Sequence, residues 1–161
     1  MTNKSNFCSN LHLRYRPFHD SRQRSKYAKR VGEGVREANP HSVWLLVKNL
    51  ERNTFLAALQ LERGHPHALN ASMDAIFAYV YYVIVFEGQR RQGYGKSLMR
   101  AAEVHARRLW GAECLGLDVD EGNVAARRFY ACLGFTVDAD ATKRFGQPHK
   151  QILMTKNICD F

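Results

Sequence analysis

Between Ile76 and Trp110 the chain passes from an extended pattern to a helical one across a single glycine-rich, basic turn, and this passage limits the folds open to it. Ile76 to Phe86 (IFAYVYYVIVF) is long, β-branched and aromatic, which suits a strand. Gly95 to Trp110 sets Leu98, Met99, Ala102, Ala106 and Leu109 on one helical face and Arg100, Glu103 and Arg107 on another, and Gly111 stops it. Between them runs Arg90-Arg91-Gln92-Gly93-Tyr94-Gly95-Lys96. Glycines at 93 and 95 let the backbone turn tightly and come close to a ligand. The free N–H groups of the first helical turn then point outward, toward an anion. Arg90, Arg91 and Lys96 add positive charge at the same spot. A pyrophosphate, with many acceptors and no donors, fits such a place. A basic strand-to-helix turn with no ligand fits the same residues. Two familiar loops do not: Leu98 stands where G-x-G-x-x-G has its third glycine, and Arg90 stands where a P-loop opens, although Gly95-Lys96-Ser97 matches the P-loop tail.

The remaining segments read as alternating elements. Leu11 to Arg16 alternates apolar and basic residues as a strand and ends at Pro17. Asp20 to Ala38 reads as helical, capped by Asp20 or Ser21 and broken at Gly32 and Gly34. Val43 to Val47 and Phe55 to Leu61 are strands about a turn at 51–53, and Gly64 to Asn70 is a loop. Leu115 to Val119 is a strand and Asn123 to Leu133 a helix closed by Gly134. Phe135 to Val137 and Gln151 to Lys156 are a last pair of strands. The order β-α-β-β-β-α-β-α-β-β predicts a mixed α/β fold. A length of 161 residues suits one domain, expected over 11–161 behind a polar, disordered stretch 1–10.

Composition removes several classes of function. The longest apolar run is too short to span a bilayer, and the N-terminus lacks the apolar segment of a signal peptide. The expected location is therefore cytoplasmic, with no membrane partner. Cys8, Cys114, Cys132 and Cys159 have no metal-ligand spacing, and Cys114 and Cys132 read as small core residues. His65 and His67 flank Pro66 without a second pair of ligands, so no metal is assigned. The net charge of +9 attracts phosphorylated small molecules, nucleic acids and acidic proteins alike and does not choose among them.

Two segments taken together resemble the GNAT superfamily of N-acetyltransferases. One is a strand followed by R/Q-x-x-G-x-G/A, here Val85 to Gly95 (VFEGQRRQGYG). The other is a strand followed by N-x-x-A-x-x-x-Y-x-x-x-G-F, here Leu117 to Phe135. The resemblance implies a central mixed, mostly antiparallel twisted sheet flanked by helices, with strands splayed at the acetyl-CoA site. It implies that the Val85 backbone pairs with pantetheine, and that the turn of Arg90, Arg91, Gln92, Gly93, Tyr94, Gly95 and Lys96 binds coenzyme A, its amides from Arg91 onward holding the pyrophosphate. Asn123 matches the family's asparagine near the pantetheine arm. Tyr130 matches the tyrosine that protonates the leaving thiolate. Acetyl-CoA would be the acetyl donor and no metal would be needed. Glu87 stands where many members have proline, and Tyr79 where some place a glutamate.

Acetyl transfer requires a neutral amine, a donor for the developing oxyanion and a proton for the thiolate. A tyrosine, with a pKa of about 10, suits the last task, although Tyr130 also reads as an aromatic core residue beside Phe129 and Leu133. For the base, Tyr79 and Tyr81 share a strand face with Val85 by alternation, Asp118 and Asp120 share one on the neighbouring strand, and Glu87 ends the long strand. None of the five stands out. The expected reaction is direct attack of a primary amine, on a small molecule or protein, in a ternary complex, by a monomer or homodimer. Arg14 to Arg36 is basic and disfavours polycationic acceptors. Two alternatives remain open. One is a toxin that acetylates aminoacyl-tRNA. The other is an idle acyl-CoA-binding or nucleic-acid-binding module of the same fold.

Overall fold

The computed structural model describes residues 11–16, 41–49, 52, 54–64, 76–139 and 150–159. The helical reading of Asp20 to Ala38, the expected disorder of 1–10 and most of the two loops at 51–53 and 64–70 fall outside them. The described elements are β1 (Leu11–Arg16), β2 (Ser42–Asn49), β3 (Thr54–Arg63), β4 (Phe77–Val85), α1 (Tyr94–Trp110), β5 (Cys114–Asp120), α2 (Val124–Ala131), β6 (Thr136–Val137) and β7 (Gln151–Asn157). The strands lie in the order β1-β2-β3-β4-β5-β7-β6. Pairing is antiparallel for β1–β2, β5–β7 and β6–β7 and parallel for β4–β5, which makes the mixed α/β sheet that the sequence order predicts.

Residues group into two compact units, Met1–Gln60 with Tyr82–Ala101, and Leu61–Tyr81 with Ala102–Phe161. In the first, Val43 to Val47 are all buried, as a continuous apolar run in a strand covered on both faces should be. Trp44, Leu46 and Ala58 form a cluster against which Phe55 and Tyr82 pack. The Tyr82 ring lies nearly parallel to that of Trp44, with centroids 6.4 Å apart. Tyr82 itself has φ +49°, a left-handed conformation rare for a non-glycine residue. Strict alternation along β4 therefore breaks at this point, and the grouping of Tyr79 and Tyr81 with Val85 by parity does not carry across it.

In the second unit, β5 pairs with β7 over its whole length, Cys114↔Asn157 to Asp120↔Gln151. Its ladder with β4 has three pairs, Phe77↔Cys114 to Tyr79↔Gly116. Leu115, Leu117, Ala102, Ala106, Phe135 and Met154 are buried in this unit. Three side chains depart from their expected places. Glu103 is buried on α1, because Lys156 Nζ on β7 meets its carboxylate at 2.7 Å and offsets the loss of water. Leu109, in the last turn of α1, is 38% exposed. Cys132 is exposed at the C-cap of α2 rather than in the core, whereas Cys114 is half-buried, and burial pushes its thiol up to about 11.

Candidate functional site

The turn from β4 into α1 is braced by its own side chains and leaves its backbone outward. Gln92 Nε2 donates to the Gly88 carbonyl at 3.2 Å, and the Tyr94 hydroxyl donates to Gln92 Oε1 at 3.2 Å. The Tyr94 ring is buried, so this residue offers a ligand its amide and not its ring. Arg91 at φ +65° and Gly93 at φ +84° put left-handed residues into the turn. Alternation of right- and left-handed residues turns successive N–H groups to one side, as an anion-binding concavity. Among the described residues, no hydrogen bond within the protein takes the amides of Gly93, Tyr94, Gly95 or Lys96. The first acceptor used by the helix is the Gly93 carbonyl, which receives Ser97 N–H at 3.0 Å. A Cβ on Gly93 would meet nothing within 4 Å, so the space above the turn is open. The side chains of Arg90, Arg91 and Lys96 are exposed around it.

Val85 precedes this turn. The Phe86 amide donates to the Leu56 carbonyl at 3.0 Å, so Val85 directs its own N–H and C=O to the opposite edge of β4. Arg90 Nε reaches back to that Val85 carbonyl at 3.4 Å.

Asn123 and Tyr130 sit together on α2. Asn123 is the N-cap, its Oδ1 accepting the Ala126 N–H at 3.0 Å, which leaves its NH2 group as the donor. At the other end the Phe135 amide donates to the Tyr130 carbonyl at 3.1 Å and the Gly134 amide to the Ala131 carbonyl at 3.0 Å. Gly134 supplies the φ of +89° this closure needs. The same closure brings the Phe135 ring edge-on to the Tyr130 ring, 5.9 Å between centroids, while Phe129 lies 5.2 Å away. The spacing Y-x-x-x-G-F is thus a fastening for the tyrosine. Burial pushes its hydroxyl up to about 12, so it stays protonated through the neutral range. A groove of about 450 Å3 runs beside α2, with Arg127 and Arg128 among its lining residues. Neither Asn123 nor Tyr130 lines it.

The acids considered as bases separate on inspection. Asp120 Oδ1 accepts the Gly122 amide at 2.7 Å within the turn before α2, and Glu87 is exposed in the turn after β4. Asp118 is half-buried and hydrogen-bonded to Tyr79, which is 2% exposed. The sequence offers Tyr79 and Asp118 separately. Their bond follows from the parallel register that sets Tyr79 against Gly116, which no local pattern announces.

A sequence model of the Acetyltransferase (GNAT) family matches residues 7–135. The chain belongs to this family. No curated protein matches it in sequence. Among solved structures it resembles the N-acyl amino acid synthase FeeM from uncultured soil microbes, with 12% identity, 93% of each chain covered and a TM-score of 0.66. It also resembles the spermidine/spermine N-acetyltransferase SpeG from Vibrio cholerae, with 14% identity, 91% of each chain covered and a TM-score of 0.63. A third is the ribosomal-protein-S18-alanine N-acetyltransferase from Escherichia coli, with 17% identity, 83% of this chain and 76% of that one covered, and a TM-score of 0.55. These likenesses are of fold. Membership of the family makes this GNAT protein an acyl-CoA N-acyltransferase in its general chemistry, with an acyl-CoA donor and an amine acceptor. Among the described residues no helix is long and apolar enough to cross a membrane.

Proposed function

We propose that this GNAT protein transfers the acetyl group of acetyl-CoA to a primary amine, on a small molecule or a protein, by direct attack in a ternary complex. The observation that carries the reading is the turn of Gly93 to Lys96, where among the described residues no hydrogen bond takes the four amides and the side chains of Arg90, Arg91 and Lys96 are exposed. Those groups suit a pyrophosphate, since each phosphate oxygen accepts and each N–H donates. Arg90, Arg91, Gln92, Gly93, Tyr94, Gly95 and Lys96 form this cradle in the proposal. The outward edge of Val85 takes the pantetheine arm, and the Asn123 NH2 group donates to it. The amine nitrogen attacks the thioester carbon, the C–S bond breaks, and the Tyr130 hydroxyl gives its proton to the sulfur. A phenol raised to about 12 by burial is protonated when the thiolate forms.

Spermidine is named for the Vibrio cholerae neighbour. A net charge of +9 repels such a polycation and favours an acceptor that is neutral or carried on an anionic molecule. Isothermal calorimetry with coenzyme A, followed by mass spectrometry of amine mixtures incubated with acetyl-CoA, tests the reading. Binding and a gain of one acetyl group are expected. Absence of both refutes it.

A further inference from the structure

β6 is the last strand of the sheet, and its pairing turns one residue outward. Between β5 and β7 the hydrogen bonds fall on alternate residue pairs: the Ile158 amide donates to the Glu113 carbonyl at 2.8 Å and the Glu121 amide to the Lys150 carbonyl at 2.7 Å. By that alternation Met154, opposite Leu117, spends its N–H and C=O on β5. The bonds to β6 then come from its neighbours, and the Leu153 carbonyl does accept the Asp138 amide at 2.9 Å. Val137, opposite Met154, therefore directs its own N–H and C=O away from β7, to the free edge of the sheet. Among the described residues no hydrogen bond takes either group. The groove beside α2 borders this edge. Phe135, Val137 and Met154 line it from the sheet, and Val124, Arg127 and Arg128 from the helix. Val124 is 50% and Val137 46% exposed, and α2 buries none of its eight residues. Arg127 Nη1 is held by the Glu121 carbonyl, whereas the exposed Arg128 side chain has no hydrogen bond or ion pair among the described residues.

We propose that this edge and groove take an extended, acidic segment of a partner protein, added to β6 as one more strand. The inference stands apart from the acetyl-transfer reading and concerns a surface on which that reading is silent. An unused donor and acceptor on an edge strand are a template for another chain, and main-chain bonds supply the attachment. Side chains of the added strand alternate between its two faces, so residues two apart both meet the α2 side. An aliphatic one packs on Val124 and Val137. An acidic one, two positions along, pairs with Arg128 in a charge-assisted bond. Charge selects this occupant over the others. A second copy would bring its own Arg128 and a net charge of +9 to the interface, which repels. A small apolar carboxylate would pair with the arginine and leave the Val137 edge unused.

The test titrates the whole chain into a fluorescein-labelled, end-capped peptide that repeats valine-threonine-glutamate-threonine, read by anisotropy. The peptide should bind, and added salt should weaken it. A peptide with lysine in place of glutamate should bind at least about tenfold more weakly, and Arg128→Glu should weaken the glutamate peptide by a similar factor. Val137→Asp keeps the backbone edge and should act in the same direction by repelling the glutamate. N-methylation of one set of peptide amides, either those of valine and glutamate or those of threonine, should abolish binding while the other set is tolerated, because only one set faces Val137. Equal affinity for the two peptides, or parental affinity in Arg128→Glu, overturns the acidic partner. Tolerance of both methylated sets overturns strand addition. Displacement of the peptide by coenzyme A gives the groove to the acyl donor and overturns the proposal. A parent that is dimeric by light scattering, and monomeric as Val137→Asp, gives the edge to a second copy and overturns it as well. Absence of any binding does the same.

Discussion

Two turns in this molecule do the same topological job, carrying the chain from a strand into a helix, and they are finished in opposite ways. The turn from β5 into α2 is closed by its own atoms. Asp120 accepts Gly122 N–H with its carboxylate and Asn123 N–H with its carbonyl, and Asn123 accepts Ala126 N–H. Arg127 Nη1 donates to the Glu121 carbonyl at 3.1 Å. The turn from β4 into α1 braces its side chains on each other and leaves four consecutive amides outward. A turn whose donors are satisfied holds a helix in place. A turn whose donors meet no acceptor among the described residues keeps them for a ligand in the proposed function. The closed turn fastens the segment that bears Tyr130, and the open one is where the proposed function puts binding, on the segment that bears Gly93.

The comparison can be broken at three points. Tyr130→Phe changes only what the closed turn carries. Turnover should fall by about 100-fold or more, with coenzyme A affinity unchanged by calorimetry, and unchanged turnover would return Tyr130 to a packing role. Because burial holds the phenol at about 12, parent kcat should show no alkaline fall assignable to Tyr130 below about pH 10. Gly93→Val acts on the open turn. At φ +84° a β-branched residue costs about 1–3 kcal/mol, and its side chain enters the open space above the amides. Coenzyme A affinity should drop at least about tenfold, the size of 1.4 kcal/mol. Binding at parental strength by a folded variant would place the pyrophosphate elsewhere. Asn123→Ala has the smallest effect. Loss of an N-cap costs about 1 kcal/mol, or about 2–4 °C in a chain of this size, read by calorimetric melting. A simultaneous loss of coenzyme A affinity would show that the Asn123 NH2 group also touches the ligand.

Much of this was open to reading from the sequence, and for particular reasons. The β4–turn–α1 segment is local: its glycines, charges and apolar spacing all act within some 35 residues, so element and expected ligand chemistry follow from one stretch. The strand pair Phe135 to Val137 and Gln151 to Lys156 was likewise foreseen and pairs as β6 with β7. What escaped is non-local. Glu103 has the spacing of a surface residue and is buried because Lys156, 53 positions away, meets it. Cys132 falls on a helical pattern, but the helix ends at Ala131 and turns it outward. Alternation along β4 could not foretell the left-handed Tyr82, whose strain is met by stacking on Trp44. The pairing of Tyr79 with Asp118, among the five candidate bases, rested on a strand register, and register is written in pairs of segments rather than in either one.

The boundary between the two compact units has a consequence for how such a gene can change. It passes between Gln60 and Leu61 inside β3, between Tyr81 and Tyr82 inside β4, and between Ala101 and Ala102 inside α1. No single crossover or truncation separates one unit from the other, since three would be needed and each would sever a strand or a helix. Recombination that exchanges one contiguous block therefore cannot move either unit whole without carrying part of the other.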